Sequence, residues 1–146
     1  MRERAGVLII RNGRVALIER HTQGRRFWAI PGGGVKPGET VADAAHREAE
    51  EELGVPVNLG ALRVRIDHRE RDDSIQRQWY FEATVHSDAI RVVGPEIESS
   101  QRGTYRAVWM ELDDVEVEAT HPVAVARLIS LQRGEWPRDV VEIDES

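Results

Sequence analysis

The sequence predicts an α+β fold, one domain spanning residues 1–146 in which two helices pack on a mixed sheet. Three observations carry this. Strand-like runs recur before, between and after two helical stretches, one behind Thr40 and one behind Pro122. The chain has 146 residues, 40% apolar and 32% charged, enough to bury roughly 68–70% of its unfolded surface and too apolar for a disordered chain. No internal repeat or linker interrupts the order strands, helix, strands, helix, which is a layered α+β pattern.

The elements follow in turn. Ala5 to Arg11 reads as a strand, Asn12-Gly13 as a tight hairpin turn, and Arg14 to Arg20 as the returning strand. His21 to Arg26 is polar, contains Gly24 and reads as a loop. Phe27 to Ile30 is a short apolar strand stopped by Pro31, and Gly32 to Gly38 reads as a second loop. Thr40 is the N-cap of a helix, with Asp43 three residues on as an approximate capping box, and Gly54 stops it after Leu53. Ala61–His68 and Ile75–His86 form a second hairpin around Arg69–Ser74. Ile90–Val93 reads as a short strand, residues 94–104 as a polar loop, and Tyr105–Leu112 as a clear strand. Pro122 sits in the first turn of a second helix that ends near Gly134. The tail from about Glu135 is short, mixed and acidic, and the pattern assigns it no element.

Composition narrows the function. A net charge of −6 argues against a broad electrostatic grip on nucleic acid. Cysteine is absent, which removes disulfides, thiolate nucleophiles and cysteine-ligated zinc. Apolar runs reach only four residues, as in Val7–Ile10, far short of a membrane span, and no signal peptide is legible. The expectation is a soluble, cytoplasmic protein, monomer or homodimer.

The informative stretch is Gly33 to Val55. Glu48, Glu50, Glu51 and Glu52 crowd the last turns of the first helix, where the macrodipole favours cations. Glu48 and Glu52 are also a like-charged i, i+4 pair. Violations of local rules of this kind mark functional sites. At about 100° per residue, Val41, Ala44, Ala45, Ala49 and Leu53 form the buried stripe. Glu48, Glu51 and Glu52 cluster on one side of it and partly overlap it, and Glu50 points nearly opposite, to solvent. Three carboxylates so placed can hold a hard divalent cation that retains waters and substrate phosphates. The loop of Gly32, Gly33, Gly34 and Gly38 leads into this helix, and its amides suit phosphate oxygens.

These residues resemble the Nudix box of the MutT-like Nudix hydrolases, Gly-x5-Glu-x7-Arg-Glu-U-x-Glu-Glu-x-Gly-U, where U is bulky and apolar. Here the positions are Gly33, Glu39, Arg47, Glu48, Ala49, Glu51, Glu52, Gly54 and Val55. Only Ala49 departs, being small for its position. The resemblance implies an α/β/α sandwich and Mg²⁺- or Mn²⁺-dependent hydrolysis of a nucleoside diphosphate linked to another group. It implies Glu48, Glu51, Glu52 and the Gly33 carbonyl as metal ligands, with Glu39 and Arg47 orienting them through a salt bridge. The general base stays open among Glu48, Glu52 and the downstream Glu96 and Glu98.

For substrate contact the candidates are Gly32, Gly34, Arg25 and Arg26, the last two lying ahead of the Phe27 strand. Trp28, Trp79, Tyr80 and Tyr105 are aromatics that either stack on a base or belong to the core. The five histidines show no metal-ligand spacing. Arg71, Asp72 and Asp73 stand where ADP-ribose members of the family carry a proline, which disfavours that subgroup. The leading expectation is a nucleoside di- or triphosphate pyrophosphohydrolase acting on a small-molecule nucleotide, without a stable nucleic-acid complex. Nucleotide-sugar or dinucleoside polyphosphate cleavage is the alternative chemistry, and a non-catalytic nucleotide-binding module the alternative class.

Overall fold

Strand alternation on Ala5, Val7 and Ile9 buries one side of the first strand against a helix, while Leu8 faces the other way. The computed structural model, which describes residues 1–90 and 104–145, builds two layers of core from this alternation. In chain order it contains β1 (Arg2–Leu8), β2 (Ile10–Arg11), β3 (Arg14–Thr22), β4 (Arg25–Ala29) and β5 (Gly32–Gly34). There follow α1 (Val41–Leu53), β6 (Asn58–Arg69), β7 (Ile75–Thr84) and β8 (Thr104–Glu111). A 3-10 turn at Leu112–Asp114 then leads to β9 (Thr120–His121), α2 (Val123–Gln132) and β10 (Val141–Glu145).

One sheet has the order β10-β6-β7-β1-β5 and mixes parallel and antiparallel pairs; the other runs β2-β3-β4-β9, with β8 antiparallel to β3. Each sheet gives one face to each helix. Ala5, Val7, Ile9, Ala16, Ile18 and Phe81 bury against Ala44, Ala45, Ala49 and Leu53 of α1. Leu8, Val15, Leu17, Val64, Ile66 and Tyr80 bury with Val125, Ala126 and Ile129 of α2. The result is the expected mixed-sheet α+β fold, with sheets between two helices. The small Ala49 is fully buried, so its size sets how closely α1 approaches the strands.

Several boundaries differ from the sequence reading. The expected strand Ala5–Arg11 begins at Arg2 and is divided at Ile9, where the chain passes from one sheet to the other. The Asn12-Gly13 turn stands, pairing Arg11 with Arg14. His21–Arg26 is not a loop: the ladder continues to Thr22↔Arg25 around a two-residue turn. Gly32–Gly34 is also a strand, paired with Gly6, Ala5 and Arg4 of β1. Side-chain patterning cannot report a strand of three glycines, because it has none. Pro122 caps α2 rather than entering it, and the tail returns as β10, parallel to β6. Ile90 lies outside any strand; the rest of the expected Ile90–Val93 strand and the loop through 103 fall outside the described residues.

Candidate metal and phosphate site

Thr40 starts α1 as expected, its hydroxyl accepting the Asp43 amide at 3.0 Å, a cap worth about 1 kcal/mol. The helix closes with the Gly54 amide donating to the Glu50 carbonyl. No basic residue lies in its last turn, so each glutamate is answered from outside the helix or by Arg47.

Glu52 points inward. Its side chain is 11% exposed, and Oε1 accepts the Gly32 amide at 2.7 Å. Arg20 approaches Oε2 at 3.5 Å while lying over the Tyr105 ring. Burial raises the Glu52 pKa to about 7, against the opposing pull of the Gly32 amide and the Arg20 and Arg4 charges. Glu48 turns toward β5. A Cβ built on Gly33 would lie 2.4–2.6 Å from the Glu48 carboxylate, so only glycine leaves room for this carboxylate against the backbone.

Arg47 ties the box together. It donates to both oxygens of Glu39, Nε to Oε2 at 2.7 Å and Nη2 to Oε1 at 3.0 Å, and to Glu48 Oε1 at 2.8 Å. It also reaches the Gly34 carbonyl at 3.2 Å and lies 3.6 Å from Glu51. The Glu39 carboxylate also accepts the Lys36 amide, and with Arg47 this lowers its pKa to about 2. The loop, β5 and the middle of α1 are thus one hydrogen-bonded unit.

The structure therefore brings Glu39, Arg47, Glu48 and Glu52 together around Gly32–Gly34. Glu51 stays on the rim, 59% exposed, and among the described residues no three acidic or histidine side chains converge closely enough to form a ready metal cage. Glu50 is on the outer face as expected, its side chain 39% exposed, but it is not free there: it accepts the Val57 amide at 2.9 Å and lies 3.3 Å from His46. Arg25 is exposed at the start of β4, and Arg26 lies over the Trp28 ring. Trp28 and Tyr80 are buried, and Trp79 donates to Glu3 at 2.8 Å. Glu96 and Glu98 lie outside the described residues. Arg20 and Arg4 were missed, because only strand pairing reveals that they approach Glu52.

These residues fit a divalent cation. The donors are hard carboxylate oxygens, the absence of a Cβ at Gly33 lets the Glu48 carboxylate lie against the backbone of the glycine strand, and the Glu52 carboxylate is buried beyond what its cationic neighbours offset.

Comparison with known proteins shows the family. The model of the NUDIX domain matches residues 1–131, and the chain belongs to this family. The RNA pyrophosphohydrolase of Erythrobacter litoralis is 39% identical over 74 residues, 49% of this chain and 45% of that protein. The putative mutator protein MutT4 of Mycobacterium tuberculosis is 30% identical over 93 residues, 64% of this chain and 36% of that one. The chain thus spans less than half the length of these curated relatives. The crystal structure of a MutT NUDIX hydrolase from Burkholderia pseudomallei is 31% identical and superposes with a TM-score of 0.66, covering 86% of this chain and 94% of that one. No helix among the described residues is long and apolar enough to cross a membrane.

Proposed function

We propose that the protein hydrolyses a diphosphate linkage in a nucleoside di- or triphosphate, or a derivative of one, with Mg²⁺ or Mn²⁺. The products are a nucleoside monophosphate and pyrophosphate or a phosphorylated second group. The observation that carries this is the Glu48 carboxylate seated where a Gly33 Cβ would lie, beside a buried Glu52 held by the Gly32 amide. Glu48, Glu51, Glu52 and the Gly33 carbonyl would hold the cation, which when bound neutralises phosphoryl oxygens and activates water.

The chain's own residues do the rest. Arg47 and Glu39 fix Glu48 and the loop in one geometry, which is the positioning phosphoryl transfer depends on. Gly34, the exposed residue of the glycine strand, and the Arg25 and Arg26 guanidiniums take substrate phosphate oxygens, while Gly32 shapes the site through its amide bond to Glu52. Glu48 or Glu52 accepts the proton of the attacking water, with Glu96 and Glu98 as the other candidates. The protein acts on a small-molecule nucleotide in the cytoplasm, as a monomer or homodimer.

The test is turnover by wild type and Glu52→Gln against nucleoside triphosphates, nucleotide sugars, dinucleoside polyphosphates and 5′-triphosphorylated RNA, with Mg²⁺, Mn²⁺ or EDTA. Metal-dependent release of a monophosphate, lost in the variant, is expected. Nucleotide binding without turnover of any of them would make the protein a binding module instead.

A further inference from the structure

A cavity of about 370 Å³ lies where β9 passes into α2, and no residue of the box lines it. That volume suits a small ligand. Backbone bonding around β9 is well supplied. The Thr120 amide donates to the Glu118 carbonyl at 2.8 Å, and the flanking carbonyls of Ala119 and His121 accept the Trp28 and Ile30 amides at 2.8 and 3.0 Å. The Thr120 side chain is the exception. Thr120 is 2% exposed and lines the cavity, yet its hydroxyl is buried with no hydrogen-bond partner among the described residues. Leaving such a group unpaired is costly, and it marks a place built for a polar atom from outside the chain.

The start of α2 supplies further donors. Pro122 holds the cap position and makes no side-chain cap bond. The first helical bond runs from the Ala126 amide to the Pro122 carbonyl, so the Val123, Ala124 and Val125 amides find no backbone acceptor among the described residues. These amides and the helix dipole favour an anion, and no acidic residue lies in the first turn. Arg127, one turn on from Val123, lines the same cavity and forms no ion pair among the described residues. A carboxylate, with two accepting oxygens, matches this donor set. The segment ahead of β9 brings the other sign. Glu116 and Glu118 also line the cavity, both exposed and neither in an ion pair among the described residues. The rest of the lining is largely apolar: Val115, Ala119, Ala126 and Val123, the last 51% exposed.

We propose that this cavity binds a small zwitterion with an apolar body, the chemical class of a free apolar amino acid. The carboxylate takes the Thr120 hydroxyl, the amides that open α2 and the Arg127 guanidinium. The ammonium is met by Glu116 and Glu118, and the apolar body covers Val123 beside Val115, Ala119 and Ala126. Each simpler ligand fails one part of the lining. A plain anion meets two carboxylates with nothing to offset them, and a plain amine leaves Thr120 and the helix amides unpaired. A wholly apolar molecule leaves every polar group in the lining unanswered. The inference is independent of the hydrolase reading, because no residue of the box takes part in it.

The experiment is titration calorimetry of leucine and of two analogues that each lack one charge, isocaproate without the ammonium and isoamylamine without the carboxylate. Wild type is expected to bind leucine at least about tenfold more tightly than either analogue. Thr120→Val keeps the side-chain shape and removes the hydroxyl. It should weaken leucine by at least about fivefold while melting no lower than wild type, since the hydroxyl has no partner to lose. Arg127→Gln, an exposed change, should weaken leucine and isocaproate alike. Replacing Glu116 and Glu118 together by glutamine should bring the affinities for leucine and isocaproate together. Glu52→Gln, in the box, should leave leucine binding unchanged. No binding of leucine to wild type, isocaproate binding as tightly as leucine, or full leucine affinity in Thr120→Val would each overturn the site. A loss of leucine binding in Glu52→Gln would place the ligand in the box and overturn it as well.

Discussion

Glu52 Oε1 accepts the Gly32 amide at 2.7 Å, joining the last turn of α1 to the strand that precedes it by twenty residues. The bond holds a carboxylate 11% exposed in a place where it has more burial than compensation. A glutamine there keeps an acceptor for Gly32 and removes the desolvated charge. Glu52→Gln is therefore expected to lose turnover by at least about a hundredfold, on the scale of removing one electrostatic group from a catalytic centre. In EDTA at pH 8 it should nonetheless melt higher than wild type. A lower melting temperature in the variant would mean that the ionised carboxylate stabilises the metal-free fold.

Gly33→Ala tests the space rather than the charge. The new Cβ would meet the Glu48 carboxylate at 2.4–2.6 Å, and Glu48 is held by Arg47 at 2.8 Å. Displacing it breaks that pair and moves a proposed metal ligand. The expected outcome is a loss of activity comparable with Glu48→Gln, with β-sheet circular dichroism retained. Full activity in Gly33→Ala would show that Glu48 moves aside freely and that its position there is dispensable.

The Glu39–Arg47 pair gives a pH prediction. Hydrogen bonds from Arg47, then the Lys36 amide, depress the Glu39 pKa from 4.5 to about 2. A depressed carboxylate stabilises the fold fully above its unfolded value and loses that contribution as pH falls toward its folded value. Wild-type melting temperature should thus fall more steeply than that of Glu39→Gln between pH 4.5 and about 2. Parallel curves would show that the pair contributes nothing to stability, as many exposed ion pairs do.

The box was legible because its chemistry is local. The glycines, Glu39, Arg47 and the glutamates lie within one loop and one helix, where spacing alone fixes who meets whom. The approach of Arg4 to Glu52 was not legible, because only the pairing of β1 with β5, and in parallel with β7, places it beside the box, and a parallel register leaves no turn in the sequence to announce it. The three-glycine strand β5 and the parallel tail strand β10 escaped for related reasons: one lacks side chains to pattern, the other is paired across more than seventy residues. Helical phase placed Glu50 on the outer face, but phase does not show that the chain beyond Gly54 folds back to it.

Glu50 measures that last point. Its carboxylate accepts the Val57 amide at 2.9 Å, while His46 Nε2 lies 2.9 Å from the Val57 carbonyl oxygen. Together the two side chains clamp both polar groups of one residue at the entry to β6. Glu50→Gln keeps an acceptor oxygen and should change stability little. Glu50→Ala should cost about 1 kcal/mol or more by leaving the Val57 amide unpaired. Neither should alter kcat. Large activity loss in Glu50→Gln would mean that this carboxylate, and not only its neighbours, acts at the centre.

Metal binding can be read without any substrate. A ligand that binds only the folded state raises the melting temperature by mass action, with a gain of about 2.7 kcal/mol at a hundredfold excess over Kd. Mg²⁺ should therefore raise the midpoint of wild type in proportion to the logarithm of its concentration. Glu52→Gln and Glu48→Gln each remove one proposed ligand and should show a smaller slope, although Glu52→Gln begins from the higher midpoint in EDTA. Glu50→Gln should keep the wild-type slope, because its carboxylate is committed to Val57. Equal slopes in all four proteins would place the cation elsewhere. A slope lost in the Glu48 and Glu52 variants alone would tie the cation to the same carboxylates that the glycine strand and Arg47 hold in place.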